Sequence, residues 1–189
     1  EINEVGMFVL DTALKMIKQW RLITQKPLQM AVNISPVQFN DQTLFQQIQQ
    51  KLTKYNLTGH ALEIEITEGI LLEATKELKS TLNDMRSADI GIALDDFGTG
   101  YSSLSYIKDY PINSIKIDRS FVEEINKNKT HTKLVKAIIS LAHSLDFHVT
   151  AEGIECEVQL AYLKEIKCDI AQGYFLSRPI TADKVISLL

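Results

Sequence analysis

The feature that most constrains this sequence is the regular alternation of strand-like and helix-like segments along its 189 residues. Six short runs have the apolar or alternating pattern of β-strands, and a longer segment with helical periodicity follows each of them. The runs cover residues 28–35, 61–68, 90–94, 114–118, 147–155 and 169–176. Such alternation predicts parallel strands joined by right-handed crossovers, and therefore an α/β fold.

The segments before, between and after the runs are predicted to be amphipathic helices. In the first, residues 5–25, apolar side chains recur every three or four positions, and we expect this face to pack against the rest of the domain. Its members are Val5, Phe8, Val9, Ala13, Met16, Ile17, Trp20 and Ile23. Further helices are predicted over about 36–56, 70–87, 119–145 with a break at 126–131, 156–167 and 181–189, with another capped by Ser102 or Ser103.

Two architectures use this alternation. A doubly wound sheet usually has a Gly-rich phosphate turn after its first strand, and residues 32–36, Val-Asn-Ile-Ser-Pro, are not such a turn. A (β/α)8 barrel instead gathers the carboxyl ends of its strands at one mouth. We therefore expect a modified TIM barrel with about six of its eight strands, and, on the usual barrel size of about 250 residues, two strands and one helix missing at the N-terminus.

Asp95 and Asp96 stand together at the end of the buried run 90–94, and glycines follow at 98 and 100. Neighbouring carboxylates repel one another unless a cation or a shared proton reconciles them, so the pair indicates a metal site. An isolated pair of Asp residues often serves only to cap a turn, and that alternative stays open for the pair taken alone.

Other polar residues fall at the ends of the remaining strands, where a barrel would bring them to one mouth. They are Asn33, Glu65, Lys116, Asp118, Glu152 and Gln172. Carboxylate and amide oxygens favour Mg²⁺ or Mn²⁺, and the separation of Cys156 from Cys168 gives no zinc or disulfide pattern. Two such ions would suit hydrolysis of a phosphodiester. An aldolase with Lys116 as Schiff base is the rival, but nearby carboxylates favour the protonated, non-nucleophilic ammonium.

Composition sets further limits. A hydrophobic content of 45% in 189 residues predicts one soluble domain, and a net charge of −4 with no basic patch argues against a nucleic acid polymer as partner. No run approaches the roughly 18 apolar residues of a membrane span, and no signal peptide is visible. We expect a cytoplasmic segment without membrane contact, which itself could belong to a larger, membrane-bound protein. Because the chain opens at Glu1 without an initiator Met, we expect a fragment.

Six motifs in register over the whole chain resemble the EAL domain of bacterial cyclic di-GMP phosphodiesterases. They are Val32-Asn33-Ile34-Ser35, Glu65-Ile66-Thr67-Glu68, DDFGTGYSSL from Asp95 to Leu104, Lys116-Ile117-Asp118, Ala151-Glu152-Gly153-Ile154-Glu155 and Gln172-Gly173-Tyr174. The resemblance implies a modified TIM barrel spanning residues 1–189 that lacks its first two strands and first helix. It also implies metal-dependent hydrolysis of the second messenger cyclic di-GMP to linear pGpG, with two Mg²⁺ or Mn²⁺ ions.

The resemblance also implies residue roles. Asn33, Glu65 and Asp95 match ligands of one metal, and Asp95, Asp96 and Glu152 match those of the other. Lys116 matches the lysine that contacts the catalytic water, and Glu68 matches a glutamate that steadies the loop after the acid pair, including Gly98 and Thr99. Gln172 and Asp118 match substrate-pocket or supporting positions, and Glu155 matches a supporting acid.

The Glu-Ala-Leu triplet that names the family, whose Glu is a metal ligand, does not occur before Val5. Two alternatives to an active enzyme therefore stay open: a non-catalytic receptor for cyclic di-GMP, and a scaffold that binds only protein. By resemblance we also expect a homodimer and fusion to sensory or GGDEF-type domains.

Overall fold

The computed structural model describes residues 1–72, 75–98 and 107–189. Six strands occur in these residues and form one sheet in which their order follows the chain. They are β1 (Met30–Asn33), β2 (Leu62–Thr67), β3 (Gly91–Phe97), β4 (Ser114–Ile117), β5 (His148–Ala151) and β6 (Ile170–Ala171). The pairs β1/β2, β3/β4, β4/β5 and β5/β6 are parallel. The predicted α/β class with six parallel strands is confirmed.

Helices alternate with the strands as the sequence predicts. They are α1 (Ile2–Thr24), α2 (Leu44–Lys54), α3 (Glu68–Leu72), α4 (Lys76–Ser87), α5 (Arg119–Glu123), α6 (Lys129–Ser144), α7 (Glu157–Glu165) and α8 (Ala182–Val185), with 3-10 turns at Pro36–Asn40, Gly59–Ala61 and Ile186–Leu188. The break predicted within 119–145 is confirmed by the gap between α5 and α6. The helix predicted after Ser102 falls outside the described residues. Among those described, no helix combines the length and apolar character that crossing a bilayer requires.

The chain divides into two compact units. The first comprises Glu1–Ile92, Asp109–Pro111 and Thr181–Leu189, and the second comprises Ala93–Lys108 and Ile112–Ile180. In the first, β1 pairs with β2 so that Asn33 is opposite Glu65. In the second, the end of β3 is followed by β4, β5 and β6 in parallel register.

Helix α1 forms where it is predicted, but the predicted buried face is largely wrong. Leu10, Leu14 and Ile17 are the fully buried residues, spaced four and three positions apart. Four members of the predicted face are exposed instead: Val5 by 59%, Phe8 by 71%, Val9 by 47% and Ile23 by 59%. The helix carries apolar residues on two faces, and periodicity alone does not tell which of them meets the core.

In the second unit, the strands are buried in the manner of a parallel sheet. All four residues of β4 are buried, including the polar Ser114 and Lys116. The last strand is shorter than the predicted 169–176, because only Ile170–Ala171 pairs with β5. Beyond it the chain turns at Gly173, whose backbone lies against the backbone of Ile154 and leaves no room for a Cβ atom.

Asp169 links three elements of this unit. Its Oδ2 atom lies 2.8 Å from His143 Nε2 of α6 and accepts a 2.8 Å hydrogen bond from the Val149 amide of β5. His148 Nδ1 lies 3.9 Å from the other carboxylate oxygen. Partial burial opposes ionisation of Asp169, but these hydrogen bonds and the charges of the two histidines outweigh it and hold the pKa below its usual value.

We expect Asp169→Asn to lower the free energy of unfolding by about 1 kcal/mol at neutral pH. A depressed folded-state pKa stabilises the fold above the unfolded-state value of about 4, and the contribution is lost as the pH falls through the lower folded-state value. The difference between wild type and variant should therefore shrink between about pH 5 and about pH 3. Urea unfolding measures it, with Asp183→Asn, at an exposed position of α8, as control. A pH-independent difference would contradict the assignment.

Candidate metal centre

The end of β3 departs from regular strand geometry where the two acids lie. Ala93 and Leu94 pair with Ser114 and Ile115, but the next pair joins Phe97 to Ile117, so β3 carries one residue more than β4 in this interval. Asp96 has a φ of 55°, in the left-handed region that Asp adopts more readily than most residues. Successive side chains of a regular strand point to opposite faces, and a bulge changes their direction. The bulge therefore allows adjacent carboxylates to serve one site.

Glu152 joins the two aspartates from the next strand but one. It directly follows β5, and its amide donates a 3.1 Å hydrogen bond to the Ile117 carbonyl at the end of β4. One carboxylate oxygen from each of Asp95, Asp96 and Glu152 lies within 4.8 Å of the other two. The predicted convergence of these acids at strand ends is thus present within the second unit.

Lys116 lies among these acids, on β4. Its Nζ atom is 2.9 Å from Asp95 Oδ1 and 2.8 Å from Glu152 Oε1, and its side chain is only 8% exposed. Asp95 and Glu152 are themselves 14% and 19% exposed. Such partial burial strengthens the ion pairs, and it also makes unbalanced charge costly.

The charge and chemistry of this cluster fit a divalent metal ion. Three carboxylates and one ammonium leave two formal negative charges; Asp95, Glu152 and Lys116 have limited access to water, whereas Asp96 is exposed. The donors are all carboxylate oxygens, the type that Mg²⁺ and Mn²⁺ prefer. The same ion pairs disfavour the neutral amine that a Schiff-base mechanism needs from Lys116.

The first unit contains a second polar pair at strand ends. Asn33 Nδ2 donates a 2.9 Å hydrogen bond to Glu65 Oε2, and the Ile34 amide donates to the Glu65 carbonyl at 3.0 Å. Glu65 is 7% exposed, and Glu68, the first residue of α3, is 6% exposed. The parallel register that places Asn33 opposite Glu65 brings their side chains together.

The remaining predicted residues lie outside the cluster of acids, and most of them make structural contacts. Asp118 caps α5 by accepting a 3.0 Å hydrogen bond from the Ser120 amide, and Glu155 pairs with Arg119 at 2.9 Å. The Gln172 backbone bonds to residues 151 and 154, while its side chain is exposed. Gly98 has a φ of +99°, which its lack of a side chain permits. Thr99 lies outside the described residues.

Two residues beside the acid loops were not identified from the sequence. Arg119 and Phe121 of α5 lie so close to Gly153 and Gly98, respectively, that a Cβ atom on either glycine would collide with them. The only signal in the sequence was the glycine that follows each acid, and a glycine does not indicate which side chain packs against it.

Comparisons with known proteins agree with this fold. The signaling protein YkoW of Bacillus subtilis is 39% identical over 97% of the chain, which corresponds to 23% of YkoW. The solved structure of PaMucR, a phosphodiesterase in complex with c-di-GMP, superposes with a TM-score of 0.90 at 33% identity and covers 96% of this chain and 74% of that one. The manganese and cy-diGMP complex of Klebsiella pneumoniae BlrP1 gives a TM-score of 0.86 at 25% identity, over 95% of this chain and 45% of that one.

The chain spans about a quarter of the length of the curated relatives it matches. The family model described as the EAL domain matches residues 2–179. With nearly its whole length matched by that model, the chain belongs to the EAL domain family.

Proposed function

We propose that this chain hydrolyses cyclic di-GMP to linear pGpG with the help of Mg²⁺ or Mn²⁺. The observation that carries the proposal is the cluster of Asp95, Asp96 and Glu152 around the Lys116 ammonium. Membership of the EAL domain family supplies the substrate class, since PaMucR is named as a phosphodiesterase in a complex with c-di-GMP. The cluster taken alone would suit hydrolysis of any phosphate ester.

The ligand assignments extend this proposal residue by residue. Asp95, Asp96 and Glu152 hold one ion in the second unit, and the bulge in β3 directs the two aspartates. Asn33 and Glu65 are assigned as further ligands, on the basis of the family resemblance and of their 2.9 Å contact in the first unit. Bound divalent ions would lower the pKa of a water molecule and neutralise the phosphodiester charge.

Lys116 is proposed to act on the water or on the phosphate. Its ammonium offers three hydrogen-bond donors, and the contacts to Asp95 and Glu152 fix the position of Nζ from two sides. An ammonium held in this way can orient an attacking water or stabilise charge on a phosphate oxygen. Asp95 and Glu152 therefore have two roles, as ligands and as anchors of this lysine.

The other assignments follow the resemblance alone. Glu68, Gly98 and Thr99 are proposed to shape the loop after the acid pair, Gln172 and Asp118 to line the substrate pocket, and Glu155 to support the loop after β5. A homodimer, fusion to sensory or GGDEF-type domains and a cytoplasmic location are part of the same proposal. The greater length of the curated relatives is compatible with such fusions.

We expect Mn²⁺ to stabilise the protein against heat, because an ion bound only by the folded state stabilises that state. At about 100 times its Kd it should add about 2.7 kcal/mol, or several degrees in Tm.

Glu152→Gln removes one charge and one anionic ligand, and should weaken Mn²⁺ binding about tenfold or more. Calorimetric titration measures this, with Glu165→Gln, at an exposed position of α7, as the matched control. Equal Mn²⁺ affinity in the two variants would remove Glu152 from the metal site.

Hydrolysis of cyclic di-GMP in the presence of Mn²⁺ tests the activity itself, with pGpG quantified by chromatography. Asp95→Asn should lower the turnover rate by at least about 100-fold, because it removes a ligand and an anchor of Lys116 together. Asp183→Asn should leave the rate unchanged. Near-normal turnover by Asp95→Asn would exclude the assigned role, while wild-type protein that binds cyclic di-GMP without turning it over would indicate the receptor.

A further inference from the structure

Each acid-bearing loop of the second unit contains a glycine with positive φ. Gly98 follows Asp96 by two residues and has a φ of +99°, and Gly153 directly follows Glu152 with a φ of +72°. Both glycines lie against the same short helix, α5, which begins two residues after β4. Helix α5 therefore contacts both acid loops. It also closely follows β4, the strand that carries Lys116.

Arg119 contacts the loop after β5 at two points. A Cβ atom on Gly153 would lie 2.3 Å from Cγ and 2.6 Å from Cβ of Arg119, so the arginine stem covers this backbone directly. The guanidinium Nη2 lies 2.9 Å from Glu155 Oε1, and Nε pairs with Glu123 within α5. Arg119 thereby holds the segment from Gly153 to Glu155 against the helix.

Phe121 supports the other loop. A Cβ atom on Gly98 would lie 2.7 Å from two carbon atoms of the Phe121 ring, Cε2 and Cζ. The ring also approaches His131 of α6, with ring centroids 6.4 Å apart. Phe121 therefore contacts both the backbone that follows the acid pair and α6.

Helix α5 is itself fixed in place. Asp118 caps its first turn, and Val122 is fully buried. Gln159, 5% exposed, donates to the Val122 carbonyl at 3.2 Å and accepts hydrogen bonds from the amides of Glu155 and Cys156 at 2.7 and 3.1 Å. Buried polar bridges of this kind are costly to break, because their partners would lose hydrogen bonds away from water.

We propose that Arg119 and Phe121 are positioning residues that hold the Gly153 and Gly98 backbones against α5, and thereby set the spacing of Glu152 and Asp96 for a divalent ion. The inference rests on the proposed function, because it assumes that these carboxylates bind metal. Metal ligands need positions held to within about 0.5 Å, and the residues that hold them affect affinity without touching the ion. The two glycines have no Cβ atom, and this allows the two side chains to lie directly against the loop backbones.

Arg119→Ala removes the stem beyond Cβ, which includes the closest atom to Gly153, and the pair with Glu155. We expect Mn²⁺ to bind about tenfold more weakly, measured by calorimetry, and the amides of residues 153–155 to exchange hydrogen faster in the metal-free protein. Arg119→Met keeps most of the stem but not the charge, and should lie between Arg119→Ala and wild type. Lys136→Ala, on the exposed face of α6, is the control for loss of a surface cation.

A double-mutant cycle separates positioning from general destabilisation. Gly153→Ala alone places a methyl group against the Arg119 stem and should weaken Mn²⁺ binding. Combined with Arg119→Ala, it should weaken binding by less than in the wild-type background, since the closest contact, with Cγ at 2.3 Å, is gone and only the contact with Cβ at 2.6 Å remains. Strain from the positive φ remains in both backgrounds and cancels in the comparison.

The outcomes are distinct. Mn²⁺ affinity within about twofold of wild type in folded Arg119→Ala, with a lower Tm only, overturns the positioning role and leaves the metal centre intact. Wild-type protein that binds no Mn²⁺ overturns the proposed function and this inference with it. If Arg119→Ala does not fold, Arg119→Met and Phe121→Leu decide, and unchanged affinity in both overturns the role.

Discussion

Electrostatic repulsion among carboxylates is the constraint on which the rest of the second unit depends. Asp95, Asp96 and Glu152 have oxygens within 4.8 Å of one another, and two of the three side chains, those of Asp95 and Glu152, are partly buried. The fold meets part of this cost with the Lys116 ammonium, at 2.8 to 2.9 Å from two of the acids. The negative charge that remains is what makes the cluster attractive to a divalent cation.

The parallel sheet supplies the positions for this chemistry. Neighbouring parallel strands end at the same edge, so residues far apart in the chain meet there without any special loop. The same sheet explains Asn33 and Glu65, which are opposite each other in the β1/β2 register. The contact of Asp169 lies at the other ends of the strands, because Asp169 directly precedes β6 and bonds to Val149, the second residue of β5.

The alternation of strands and helices and the acids at the strand ends were predicted well from the sequence, because both are local patterns. The cluster of acids, the position of Lys116 beside it and the helix break all follow from such patterns. The buried face of α1 was wrong because two apolar faces compete, and only packing decides between them. The bulge in β3 could not be predicted, since the run 90–94 looks like a regular strand and the extra residue is defined only by its partner β4.

Arg119 and Phe121 show a further limit of sequence patterns. Each glycine signals that something approaches its backbone, but the approaching side chain lies more than 20 residues away in both cases. Asp118 is the opposite case, because its cap on the Ser120 amide joins residues two positions apart. The ion pair of Glu155 with Arg119 spans 36 residues and is no more visible in the sequence than the contact at Gly153.

The bulge between Leu94 and Phe97 also bears on how such chains diverge. Because Ala93 and Leu94 before it and Phe97 after it are each paired with β4, an insertion or deletion in a crossover loop can leave the register of β3 unchanged. Inserting or deleting a single residue inside this short interval would instead change which of the two aspartates faces β4, the strand that carries Lys116. Drift in length can therefore accumulate in the loops, whereas the count of residues between these two apolar anchors is under geometric restraint.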